Sequence, residues 1–130
     1  MIRVLRPKYA KKFIAYVERT EGMRFKKNPT FHLTRRKTKR RYQNYNRLTR
    51  VIEGDKVVKV SHPMVFLNRA LHVKDPKYAK IGARVILHEL RENLYAQNIA
   101  KISGRRAHKR SERRTKKDEA YINRLVRRGG

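Results

Sequence analysis

The chain contains no cysteine. That excludes a disulfide framework, a thiol nucleophile and any all-cysteine metal site, and it gives no sign of a secreted history. Acidic residues are scarce: 10 Asp and Glu stand against 37 Lys and Arg in 130 residues, a formal net charge of +27. Apolar residues are also few, 38% with Tyr included, where ordinary domains carry about 45–50%. A core is possible, but a small one. Every apolar run falls well short of the ~18–20 residues of a membrane span, so membrane insertion is not expected. Ser61, Ser103 and Ser111 are the only serines, and none sits in a nucleophile-elbow context. The six glycines are scattered, with no phosphate-binding pattern. No catalytic constellation is visible, so no enzyme, cofactor or small-molecule substrate is expected.

What is present is positive charge. At +27 so small a body repels itself, and a polyanion has to compensate it in the working state. Nucleic acid fits best, because its phosphates form a dense line of negative charge. An anionic membrane surface fits less well, since the scattered aromatics do not line one lipid-facing helix. The first 17 residues are basic, with no acid before Glu18, somewhat like a mitochondrial presequence. They lack serine, however, and begin with Met1, which argues against removal of a leader.

Length and patterning predict one α+β unit, mainly helical. Tyr9, Phe13, Tyr16 and Val17 share a helical face over 8–21, with Lys8, Lys11, Lys12 and Arg19 largely off it. Pro7 and Gly22 bracket that helix. Residues 22–34 read as an extended connection, broken by Asn28-Pro29. A β-hairpin is expected over about 48–60, turning at Glu53-Gly54-Asp55-Lys56. A short helix is expected over 63–72, opened by Pro63, with Met64, Leu67 and Leu71 on one face. The spine is a long central helix over about 75–102, with Asp75 as N-cap, Pro76 as first residue and Ser103-Gly104 as its end. Glu89 and Glu92 lie near Arg84, Arg91 and Lys101, where helical ion pairs would be weak. A last helix is expected over about 111–127, with Tyr121, Ile122, Leu125 and Val126 as a face that docks on the core or on a neighbour. The expected organisation is a small body over 1–104 with an internal basic segment at 35–50, then a basic C-terminal helical extension over 105–130.

Two runs concentrate the cations. In RRKTKRRYQNYNRLTR (35–50), eight of 16 residues are basic and none acidic. Between Lys101 and Lys117, nine of 17 are basic and only Glu112 is acidic. Guanidinium forks match phosphate oxygens in pairs. The candidate phosphate contacts are Arg35, Arg36, Lys37, Lys39, Arg40, Arg41, Arg47 and Arg50 in the first run. In the second they are Arg105, Arg106, Lys109, Arg110, Arg113, Arg114, Lys116 and Lys117. Tyr42 and Tyr45 are candidates for stacking on unpaired bases. Asp118-Glu119 reads as a tempering of the basic tail, and Arg128-Gly129-Gly130 is a lone RGG.

One motif invites a metal. His88-Glu89-Leu90-Arg91-Glu92 resembles the zinc-protease helix signature, which needs a second His four residues after the first. That position holds Glu92, and His32, His62, His72 and His108 add no local ligand spacing. Local spacing therefore gives no metal site.

In composition and architecture the sequence resembles a ribosomal protein, on RRKTKRRYQNYNR at 35–47 and GRRAHKRSERRTKK at 104–117. It is similar in kind to the small basic proteins peculiar to mitochondrial ribosomes. The resemblance implies a structural constituent that binds ribosomal RNA, contacts neighbouring ribosomal proteins and threads basic segments between RNA helices. A mitochondrial ribosome is the expected location, with a cytosolic ribosome as the alternative. A DNA-binding or DNA-compacting protein, for instance with 63–72 and 75–102 forced into a helix-turn-helix, and a non-enzymatic protein–protein scaffold are the rival readings.

Overall fold

A computed structural model describes residues 7–34, 44–68 and 76–129. The order is α1 (Pro7–Glu21), β1 (Thr30–Leu33), β2 (Tyr45–Glu53), β3 (Lys56–Leu67), α2 (Pro76–Asn98), α3 (Gly104–Thr115), a 3₁₀ turn (Lys116–Asp118) and α4 (Glu119–Gly129). The fold is α+β and mainly helical, as expected. The strands form one mixed sheet in the order β1-β3-β2. β1 runs parallel to β3 and β2 antiparallel to it.

α2 is the spine, touching α1, α3, α4, β2 and β3. Its Ile86, Leu87, Leu90 and Leu94 meet Phe13 and Val17 of α1, Val65 and Leu67 of β3, and Ile122 and Leu125 of α4. The C-terminal helices thus contribute to the same core as the N-terminal one, and the expected docking face of α4 is on that core. α1 ends where Gly22 adopts a left-handed φ of 66°, which favours a residue without Cβ. The hairpin turns at Gly54-Asp55, with Gly54 at φ 61°, as a two-residue hairpin loop demands.

Several expectations are corrected. Residues 63–67 are strand, not helix: β3 continues through Leu67, with Pro63, Val65 and Leu67 alternately buried. The period is two, so Met64 and Leu67, expected on one helical face, fall on opposite faces of the strand, while Leu71 lies outside the described residues. Pro63 lies at a register shift, where Arg47 faces Met64 but Thr49 faces Ser61. His62 beside it has a φ of 51°. A bulge is where a strand tolerates proline, because its missing N–H is not needed in the ladder. The helix-turn-helix reading loses the start of its first helix. Within the expected connection at 22–34, residues 30–33 pair with β3 as β1. Gln97 pins the stretch before it, accepting from the backbone N–H of Lys26 (2.8 Å) and Lys27 (3.1 Å) and donating to the Lys27 carbonyl (2.9 Å).

α2 stops at Asn98, short of the expected end near 102. Arg50 explains the stop: its guanidinium reaches across from β2 and donates to the carbonyls of Ala96 (2.8 Å) and Ile99 (3.0 Å). A cation there also suits the negative end of the helix dipole. Ser103 opens the next helix instead of closing this one, its Oγ accepting from Arg106 N–H at 3.2 Å. The helix expected at 111–127 is two helices joined by the 3₁₀ turn, and it starts at Gly104.

Candidate nucleic-acid interface

α3 sorts its residues by helical period. Ala107, Ser111 and Thr115 are buried against α2. On the other side Arg105, Lys109 and Arg113 recur every four residues, and all are exposed. At ~1.5 Å of rise per residue, successive cations of this stripe stand about 6 Å apart. Arg106, Lys116 and Lys117 are exposed as well. In the first run, Arg47 is exposed on β2. Tyr45 is 47% exposed, with its ring stacked on Phe66 at 4.6 Å. That leaves a supported aromatic at the surface, the geometry a stacked base requires. Arg35, Arg36, Lys37, Lys39, Arg40, Arg41 and Tyr42 lie outside the described residues. Their flanks are fixed, however: Leu33 pairs with Leu67 and Tyr45 with Phe66, at the same end of β3.

Three of the candidates are engaged by the fold itself. Arg50 caps α2. Arg110 lies 4.5 Å over the ring of Tyr95, a cation–π contact. Arg114 donates Nε to Glu21 (2.9 Å) and Nη2 to the Thr20 carbonyl at the end of α1 (2.8 Å).

The partners of Arg114 belong to a buried ionic seam. Arg91, 1% exposed, donates to both oxygens of Asp118 and to Glu21 (3.2 Å), Thr115 (3.2 Å) and Thr20 (3.3 Å). Tyr16 donates to Asp118 at 2.8 Å and stacks on Tyr121 at 3.8 Å. Tyr95 donates to Glu21. Burial, with the bond to Asp118, pushes Tyr16 up to about 12. Burial alone would raise Glu21, but bonds from Tyr95 and Arg114 and the charges of Arg114 and Arg91 outweigh it and hold the carboxyl below its usual range. Asp118 is therefore the counter-ion of a buried arginine and not a tempering of the tail. Arg91 looks outward to these residues, not to its helical neighbours.

A second basic surface was only half visible in the sequence. α1 and α4 form a groove of about 410 Å³, lined by Lys8, Lys12, Arg19 and Arg124 around Tyr9 and Tyr16. The α1 cations were legible as the polar side of an amphipathic helix. Arg124 was not, because only the packing of α4 beside α1 brings it there.

On the α2–α3 side a third polar cluster opens into a cavity of about 770 Å³. His88 Nε2 is 3.4 Å from Glu92 Oε2, and His108 Nδ1 is 3.2 Å from Glu92 Oε1. Burial, followed by the charge of Glu92, pushes the neighbouring Glu89 up to about 8. Burial would also raise Glu92, but its bonds and charge contacts with the two histidines hold it below the usual range.

No family model, curated protein or solved structure matches this chain.

Proposed function

We propose that this chain is a structural constituent of a ribosome, mitochondrial in preference to cytosolic, that binds ribosomal RNA. One observation carries the reading: among the described residues the fold engages half of the acids, while the cations of the α3 stripe and of the α1–α4 groove stay exposed. Of the ten acidic residues, Glu18, Glu21, Glu89, Glu92 and Asp118 are all hydrogen-bonded or ion-paired within the fold. The cations of the α3 stripe and of the α1–α4 groove face outward. These exposed cations belong to a chain of net charge +27, and phosphates would neutralise them as their counterions leave. Specificity then comes from RNA shape, with Tyr45 available to an unpaired base. No helix among the described residues is long and apolar enough to cross a membrane.

Sedimentation of the tagged protein from a gentle lysate tests the reading. Co-migration with one ribosomal subunit, shifted by ribonuclease, is the expected result, and persistence after a salt wash marks a permanent component. Migration with DNA, or complexes that survive every nuclease, would replace it with the DNA-binding or scaffold reading.

A further inference from the structure

The geometry points to a zinc-class divalent cation held by His88, Glu92 and His108, clamping α3 onto α2. His88 and Glu92 are four residues apart on α2 and share a face. The histidine that the local motif lacks is supplied by α3, through the tertiary contact that brings His108 Nδ1 to 3.2 Å from His88 Nε2. Glu92 presents Oε2 to His88 at 3.4 Å and Oε1 to His108 at 3.2 Å, so every pairwise approach of the three residues falls between 3.2 and 3.4 Å. A tetrahedral zinc with bonds of about 2.0–2.1 Å separates its ligands by about 3.3–3.4 Å. The pairwise approaches of the three groups match that spacing, with one carboxylate oxygen facing each histidine, and a small turn of the Glu92 carboxylate would let it serve as the third ligand. Two imidazoles and a carboxylate are a donor set for zinc and its borderline neighbours, not for magnesium or calcium.

A second observation is independent of these distances. Ser111 Oγ has one proton, and that proton is directed at the His88 carbonyl, 2.6 Å away. The same Oγ lies 3.2 Å from His88 Nδ1. With its proton engaged, the hydroxyl accepts there, so Nδ1 carries the hydrogen and the neutral ring keeps its lone pair on Nε2. That lone pair faces Glu92 and His108. A hydrogen bond fixing the far nitrogen of a ligating histidine is the usual support of a metal ligand. Ser111 is fully buried and so holds the ring in place. His88 and His108 line the cavity together with Arg84, Glu112 and Lys116, which leaves room beside them for a water as fourth ligand. The cation would lock the inner side of α3 while its stripe of Arg105, Lys109 and Arg113 stays outward. This inference does not rest on the ribosomal reading.

Cobalt titration of the full chain, freed of nucleic acid by nuclease and a salt wash, tests it. One equivalent of Co²⁺ should bind with the visible absorption of a tetrahedral site, and Zn²⁺ should displace it. Zn²⁺ at about a hundredfold excess over Kd should raise Tm by at least about 5 °C. His108→Ala should weaken binding by at least tenfold. The His108 side chain is 56% exposed, so this variant keeps its fold, which circular dichroism checks. Ser111→Ala should weaken binding about 10–100-fold through the orientation of His88 alone. No saturable 1:1 binding, or binding unchanged in folded His108→Ala, would overturn the proposal and leave the triad as a proton-sharing cluster.

Discussion

Arg113 and Arg114 are adjacent in the chain, and the fold treats them in opposite ways. Arg113 stands on the outer face of α3 with Arg105 and Lys109, exposed to solvent. Arg114 turns toward the seam between α1, α2 and the 3₁₀ turn, where it shares Glu21 with Arg91. On the outer face of α3 the cations Arg105, Lys109 and Arg113 stand exposed. In the seam, Arg91 and Arg114 meet Asp118 and Glu21, and hydroxyls satisfy the remaining donors. The comparison teaches that an unbroken basic run is not one functional unit. The helical period divides it, and carboxylates distant in sequence decide which arginines become structural.

The sharpest way to break the comparison is at the seam. Asp118→Ala takes from buried Arg91 the carboxylate that engages both of its terminal nitrogens, leaving only the Glu21 carboxylate at Nε, and should cost about 3 kcal/mol in urea unfolding. Pairing Asp118→Leu with Arg91→Met removes both charges, leaves Glu21 with Arg114, and should recover more than half of that loss, since the penalty lies in an under-compensated buried ion. Arg114→Met should cost less, about 1–2 kcal/mol, because its side chain is 36% exposed and partly resolvated. Acid provides a subtler probe. The folded carboxyl of Glu21 titrates below the 4.5 of an ordinary Glu. The unfolded chain therefore takes up its proton first, and the stabilisation, complete above that value, is lost as pH falls through the folded one. The Tm gap between wild type and Glu21→Gln should narrow from pH about 6 to about 3.

The outer face should respond the other way round. Arg105→Glu, Lys109→Glu and Arg113→Glu together should change stability by less than about 0.5 kcal/mol. They should weaken RNA binding and flatten its log–log salt dependence by about 2, at ~0.7 per lost contact on a single strand. Reversing Arg35, Arg36, Arg40 and Arg41 should do the same for the first run, with residues 76–98 still helical. A folded variant whose RNA affinity is unchanged removes that run from the interface.

How much of this was legible in the sequence follows from the range of each interaction. α1 was readable because its apolar spacing and Gly22 are local. So were the turn at Gly54 and the start of α2 at Pro76. The docking face of Ile122 and Leu125 was also visible, though not what it docks on. Residues 63–67 misled because Pro63 suits a helix start and a strand bulge equally, and only the register with β2 decides. Ser103 was read as a stop because the true stop comes from Arg50, on a strand almost fifty residues earlier. The basic character of the surface was plain from composition. The division between Arg113 and Arg114 was not, since Glu21 is 93 residues from Arg114. Asp118 looked like a surface charge for the same reason, and the histidine that completes the triad with His88 and Glu92 comes from a different helix.

Those long separations have a consequence in time. Among the described helices α1 is synthesised first, yet Tyr16 waits for Asp118, 102 residues later. At about 5–20 residues per second that interval is roughly 5–20 s. Throughout it Phe13 and Val17 have no α4 to cover them, while the α1 lysines are already present. The nascent chain is thus sticky on one side of its first helix and cationic on the other well before its seam can close. An early escort that shields the apolar side, or an RNA that occupies the cationic one, would act on a half-made protein.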